Sequence, residues 1–133
     1  MAEYQFNVNP QNIRLGNVYI CDFASAGFKE PEMVKPRRVI VLDYNKLNKL
    51  LTIIPISSKP CIRHGVDYIE LTDESLELIK ATKKPLYAVC DMIYTLHIER
   101  FDRVKVGRRY FNTKVNNDDL QLIRTAIKKN LRL

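Results

Sequence analysis

The 133-residue chain is short of the features that mark secreted, membrane-spanning or metal-bound proteins. No stretch approaches the roughly 18 uninterrupted apolar residues that a bilayer-spanning helix needs. Residues 1–10 (MAEYQFNVNP) lack the basic start and apolar run of a secretion signal, and the expectation is a soluble, cytoplasmic protein. The three cysteines, Cys21, Cys61 and Cys90, are odd in number and without Cys-x-x-Cys spacing. That argues against a disulfide framework and for free thiols in a reducing compartment. Cys61 and His64 have the i, i+3 spacing of two metal ligands, but a zinc site takes three or four, and only His97 and two distant thiols remain. Neither a metal nor a cofactor is expected. With 4 glycines and 6 prolines against 46% hydrophobic residues, the chain has enough apolar surface for one core and too little length for two, so a single domain over 1–133 is expected.

What the sequence does have is positive charge, unevenly placed. Residues 1–98 hold 12 Lys/Arg and 11 Asp/Glu, net +1, whereas residues 99–133 hold 10 and 4, net +6, which together make the overall +7. A basic balance of this kind favours polyanions, nucleic acid above all, although an acidic protein partner or simple solubility would use it as well.

Along the chain, residues 1–13 are polar with a turn at Asn9-Pro10 and read as a tail or edge segment. Gly16–Phe23 alternates Val18 and Ile20 against Asn17, Tyr19 and Cys21, as a half-buried strand does. Residues 24–36 carry a glycine, two prolines and mixed charge and read as a long loop. Arg38–Tyr44 and Lys49–Ile56, rich in branched aliphatics and joined by a turn over Asn45–Asn48, read as a hairpin. Ser57–Gly65 is a polar loop, Val66–Leu71 a strand, and Thr72 or Asp73 caps a short helix to about Ala81. Pro85–His97 reads as one strand kinked near Asp91, and the basic piece 99–112 as irregular. Asn116 or Asn117 caps a final helix with Leu120, Ile123, Ile127 and Leu131 on one face, opened by Asp118 and Asp119 and closed by Lys128, Lys129 and Arg132. Short strands, two helices and no internal repeat predict a mainly β fold, a small barrel rather than a βαβ array.

Four blocks in this order resemble the MazF/PemK family of toxin–antitoxin ribonucleases. Gly16-Asn17-Val18 with Asp22 resembles the family's opening strand, and Pro36-Arg37-Arg38-Val39-Ile40-Val41 its second strand, where Arg-Pro precedes branched aliphatics. Pro55-Ile56-Ser57-Ser58 resembles P-[IV]-[ST]-S at the end of the third, and Asp91-Met92-Ile93-Tyr94-Thr95 with Arg100-Phe101 resembles D-Q-[IL]-[RY]-T followed by Arg-Leu. Blocks and closing helix cover Arg14 to Leu131. The resemblance implies an SH3-like antiparallel barrel of five to seven strands, a homodimer, endoribonuclease activity on single-stranded RNA, and neutralisation by a cognate antitoxin. Arg38 stands where the family has its proline, so the catalytic arginine is Arg37 or, with a shift of one residue, Arg38; Arg37 keeps Val39–Val41 in register. Val89 occupies the place where a PemK-like subset has a second arginine, so a mechanism relying on that arginine is closed to this chain.

Cleaving RNA without a metal uses the ribose 2′-OH as nucleophile and leaves a 2′,3′-cyclic phosphate. The protein must remove a proton, stabilise the phosphorane and protonate the leaving oxygen. Arg37 suits the phosphate because a guanidinium stays charged and holds two oxygens at once; the bland alternative is a solvated cation at a strand end. Ser57, with Ser58 behind it, offers a hydroxyl to a phosphoryl oxygen, or else simply makes a turn. Asp91, set in an apolar run, is read as base, RNA-orienting group or structural acceptor. Arg38, Ser58, Lys59 and Thr95, with Lys29 and Glu30 of the long loop, are the further RNA-contact candidates. His64 is a weaker acid–base candidate, and Tyr94 and Phe28 are aromatics that either stack on bases or belong to the core. Two rival readings stand beside catalysis: a non-catalytic interaction module like the gyrase-poisoning relatives of this barrel, and a basic nucleic-acid-binding domain that cuts nothing.

Overall fold

The computed structural model describes residues 8–23, 37–59 and 68–131, so Phe28, Lys29, Glu30, Cys61 and His64 lie outside the described residues. Among the described residues nine strands form one antiparallel sheet: β1 (Asn17–Cys21), β2 (Arg37–Asn45), β3 (Leu50–Ser57), β4 (Tyr68–Glu70), β5 (Tyr87–Val89), β6 (Tyr94–His97), β7 (Phe101–Val106), β8 (Arg109–Phe111) and β9 (Thr113–Lys114). Two α-helices among the described residues, α1 (Asp73–Leu78) and α2 (Asn117–Asn130), accompany them. The strand order is β4-β5-β3-β2-β1-β7-β8, with β6 added to β3 and β9 to β1, and this path is open rather than closed on itself. The mainly β, antiparallel class with a C-terminal helix is as expected; the strand count exceeds the expected five to seven because residues 85–97 form two strands, residues 99–112, expected as irregular, carry β7 and β8, and β9 follows.

One is residues 85–97. Instead of a single kinked strand, β5 pairs with the end of β3 (Ser57 with Tyr87, Ile56 with Ala88) and β6 with its beginning (Ile53 with Tyr94). Cys90–Ile93 bridge them as a four-residue excursion beside β3. The other is residues 99–112, where a hairpin pairs Val104 with Phe111 and Val106 with Arg109 around Gly107. Gly107 has φ +62°, a left-handed conformation glycine adopts without penalty.

The central strands are buried on both faces, which explains why β2 and β3 read as continuous apolar runs rather than alternating ones. On one face Val18, Ile40, Ile54 and Ile56 pack with Leu76 and Ile79 of the α1 region and with Ile123 and Ala126 of α2. On the other, Tyr19, Cys21, Val39, Val41, Leu51 and Ile53 pack with Phe23, Ile98 and Phe101 and are covered by Val8 and Ile13. β1 is therefore not half-buried, and residues 8–13, expected as tail or edge, form part of a second core.

The helices are locked to one another at their N-termini. Thr72 caps α1 and Asn116 caps α2, the latter accepting from the Asp119 backbone N–H at 2.7 Å. The buried Asp119 carboxylate accepts from the Thr72 backbone N–H (3.0 Å) and hydroxyl (2.9 Å), and the Asn116 N–H donates to Ser75 Oγ (2.9 Å). α1 ends at Leu78, short of Ala81, because Lys80 takes φ +58° and the Ala81 N–H turns back to the Leu76 carbonyl (2.9 Å), a left-handed helix stop.

Candidate functional site

Arg37 opens β2 and Ser57 closes β3. In the β2–β3 ladder Val39 stands opposite Pro55 and Ile40 opposite Ile54; the ladder ends at Val39 and Pro55, and Arg37 and Ser57 each lie two residues beyond that pair, at adjoining strand ends. Directly opposed residues share a face with Cβ atoms about 5 Å apart. The row continues on both sides, since Cys21 of β1 pairs with Arg37 and with Phe101 of β7, Ser57 pairs with Tyr87 of β5, and Tyr87 with Glu70 of β4. A hydroxyl, a phenol and a carboxylate thus lie in line across β3, β5 and β4, with the arginine at the neighbouring end of β2.

Arg37 is half-buried, and its Nε is buried with no hydrogen-bond partner among the described residues. A buried guanidinium N–H with no described partner is an arrangement that an anionic ligand would relieve. Arg38 points to the other face: its backbone pairs with Ile20, and its Nη2 donates to the Lys80 carbonyl at 3.3 Å, just past the end of α1. Burial pulls its guanidinium below the ordinary arginine pKa. Arg38 therefore serves the α1 terminus, and the structure does not bring it to Arg37 and Ser57.

The Ser57 hydroxyl donates to the Lys59 carbonyl (3.1 Å) and accepts from the Lys59 N–H (3.2 Å), so it closes a turn two residues wide. The turn holds Oγ at the strand end and presents Ser58 and Lys59, both exposed. Asp91, half-buried, sits in the Cys90–Ile93 excursion, which passes β3 between Pro55 and Ile53. That places it about three residues along from Ser57, roughly 10 Å at strand spacing. Thr95 is not near the row: it pairs with Thr52, five positions from Ser57 and on the opposite face, and their hydroxyls share a hydrogen bond of 2.9 Å. Tyr94 meets Phe23 edge to face with ring centroids 5.5 Å apart and so belongs to the second core.

Tyr87 and Glu70 were missed in the sequence because both stood in runs read only for strand pattern. The available signal was alternation: Tyr87 separates the buried Leu86 and Ala88, so its ring belongs to the opposite face. Beside Arg37, burial pushes the Cys21 thiol up to about 12, helped by Asp22 and opposed by Arg100, which leaves it inert as a nucleophile. Among the described residues no cluster of three or more His, Cys, Asp or Glu could hold a metal ion, and no helix is long and apolar enough to cross a membrane.

A family model for the PemK-like, MazF-like toxin of type II toxin–antitoxin systems matches residues 14–131. Comparison with curated protein sequences yields no match. Solved structures with a similar fold include MazF from Deinococcus radiodurans (TM-score 0.64, 16% identity, covering 91% of this chain and 97% of that one). The MazE–MazF complex from the same organism gives TM-score 0.59 at 16% identity, covering 90% and 94%. An endoribonuclease in complex with its cognate antitoxin, from a mycobacterial species, gives 0.60 at 17% identity, covering 91% and 96%.

Proposed function

Since the chain belongs to the PemK-like, MazF-like family of type II toxins, we propose that it is the toxin of such a module and acts as a metal-independent endoribonuclease on single-stranded RNA. The observation that supports this reading is the position of Arg37 and Ser57 at adjoining ends of β2 and β3, two residues beyond the Val39–Pro55 pair, with the Arg37 Nε buried and without a partner among the described residues. A phosphodiester held there has its non-bridging oxygens on the guanidinium, where developing negative charge is stabilised most. The neighbouring 2′-OH attacks phosphorus, the bond to O5′ breaks, and the products are a 2′,3′-cyclic phosphate and a 5′-hydroxyl. Arg37 can also supply the proton to O5′, while a carboxylate takes the proton from the 2′-OH. Ser57 fixes the phosphate by donating to an oxygen once its hydroxyl turns from the Lys59 carbonyl, and Ser58 and Lys59 follow the backbone. Asp91, along β3, and Glu70, two strands across from Ser57, each stand roughly 10 Å from it, and either takes the 2′-OH proton or orients the RNA.

In the cell the partners are single-stranded RNA, a cognate antitoxin and a second copy of the chain. The Deinococcus and mycobacterial relatives solved as complexes with antitoxins support the second of these. The test is incubation of purified, folded protein with a long single-stranded RNA in EDTA, with end mapping. Cleavage with cyclic phosphate ends is expected; intact RNA would refute the reading. Arg37→Ala should lower the rate by about 10²–10³-fold, the usual loss for a transition-state charge donor. Growth arrest that persisted with Arg37→Ala at equal expression would instead favour action through protein contacts.

A further inference from the structure

Beside Ser57 stands an aromatic ring that neither core uses. Tyr87 of β5 lies between Leu86 and Ala88, which are 7% and 0% exposed and belong to the helix-side core. Alternation along the strand turns Tyr87 to the other face. There it stands directly opposite Ser57 on one side and Glu70 on the other. Opposed residues of adjoining strands have Cβ atoms about 5 Å apart, within reach of an aromatic side chain.

Among the described residues no core cluster, ring pair, cation or side-chain hydrogen bond engages Tyr87. Other rings are taken up: Tyr94 meets Phe23 edge to face, and Tyr110 and Phe111 lie under cations. Tyr87 is half-buried, so part of its ring remains open to a ligand. Aromatic side chains bring a large apolar surface and a π face to whatever covers them. In single-stranded RNA a phosphate and the base of the nucleotide that carries it are one sugar apart, and unstacked bases are bound on aromatic faces. A ring next to the hydroxyl assigned to the scissile phosphate is therefore placed for the adjacent base.

We propose that Tyr87 is the platform on which the base flanking the scissile phosphate stacks, and so holds that phosphate against Arg37 and Ser57. The platform rests on the RNA-cleavage reading for its ligand. Stacking uses the π face that every base has, so Tyr87 sets position and affinity without reading the edge of the base. It also demands an unstacked base, which a duplex does not offer, and this makes the site selective for single strands.

The chain contains no tryptophan, so Tyr87→Trp installs a sole indole at the platform. The full chain with this change is titrated with a single-stranded oligoribonucleotide carrying 2′-O-methyl groups, which cannot be cut by 2′-OH attack. Quenching of the indole fluorescence is expected with that strand, and none with the same strand made abasic or annealed into a duplex. Tyr87→Leu keeps a large apolar side chain, and its fold is checked by circular dichroism. It should weaken binding of the single strand by about 5- to 150-fold, the worth of one base–aromatic stack. The slope of log K against log salt should stay that of the parent, because no phosphate contact is lost, and Tyr87→Phe should bind as the parent does. In cleavage, Tyr87→Leu should show a raised KM that Tyr87→Phe does not. An indole left unquenched by the single strand, or a folded Tyr87→Leu that binds it as tightly as the parent, overturns the platform even where the parent cuts RNA. Equal quenching by the abasic strand, or a flattened salt slope in Tyr87→Leu, assigns the contact to the backbone and overturns it as well. Quenching by the methylated strand in a protein that cuts no RNA upholds the platform and refutes the catalytic reading alone.

Discussion

Arg37 and Arg38 are neighbours in the chain and lie on opposite sides of the sheet, so their substitutions should separate cleanly. Arg37→Ala removes a side chain whose Nε has no described partner and should abolish most cleavage at little cost in stability. Arg38→Ala breaks the donation to Lys80, and should leave cleavage intact while lowering stability by about 1 kcal/mol, the net worth of a typical hydrogen bond; urea unfolding beside an RNA assay reads both. Glu70 and Asp91 separate by pH. If Glu70 takes the 2′-OH proton, Glu70→Gln removes the acid limb of the rate profile and Asp91→Asn keeps it; the reverse result would move the base to Asp91. Cys21 makes a third residue-level prediction. Its thiol is raised from 9.0 to about 12 in the fold, so above pH 9 the unfolded chain has released a proton that the native one retains. Stability must then fall as pH rises between those values, and Cys21→Val should show a shallower decline in alkaline urea titrations.

The elements most legible in the sequence were those whose signals are local. Thr72 and Asn116 cap their helices as read, and β2 and β3 fall where branched aliphatics accumulate, because caps and strand propensity act within a few residues. Residues 99–112 were illegible as strands, since their alternation is carried by Arg103, Lys105 and Tyr110 instead of by apolar side chains. The break between β5 and β6 was half-seen, as a kink at Asp91, because only pairing with β3 decides that Ala88 and Tyr94 belong to separate ladders. In the same way the Arg37–Ser57 pair was chosen by family resemblance; the β2–β3 register that brings their strand ends together depends on contacts distant in sequence. The shared carboxylate of the two helix caps was invisible for that reason too. Asp119→Ala should cost about 1.5–3 kcal/mol, the range for hydrogen bonds to a charged group, and should destabilise α1 and α2 together in hydrogen exchange.

For the molecule as a whole, the layering matters more than the strand count. Helices cover one side of the sheet and the N-terminal segment covers part of the other, with Val8 3% and Ile13 6% exposed. A polar stretch with few apolar residues gave no sign of this, since two well-placed side chains suffice to seal a face. Removing residues 1–14 should therefore leave Val39, Val41 and Tyr19 uncovered and yield a protein that aggregates or unfolds; a truncated chain with native melting behaviour would contradict the two-core description.

β1 joins β2 on one side and β7 with β9 on the other, and the Gly16 carbonyl receives the Val115 N–H at 3.0 Å. β1 thus completes its hydrogen bonds only with residues 113–115, far from it in the chain, a long-range closure of the kind that slows folding. Until that closure forms, the strand that pairs with Arg37 has only one finished edge, so the arginine's support is among the last parts of the sheet to be complete.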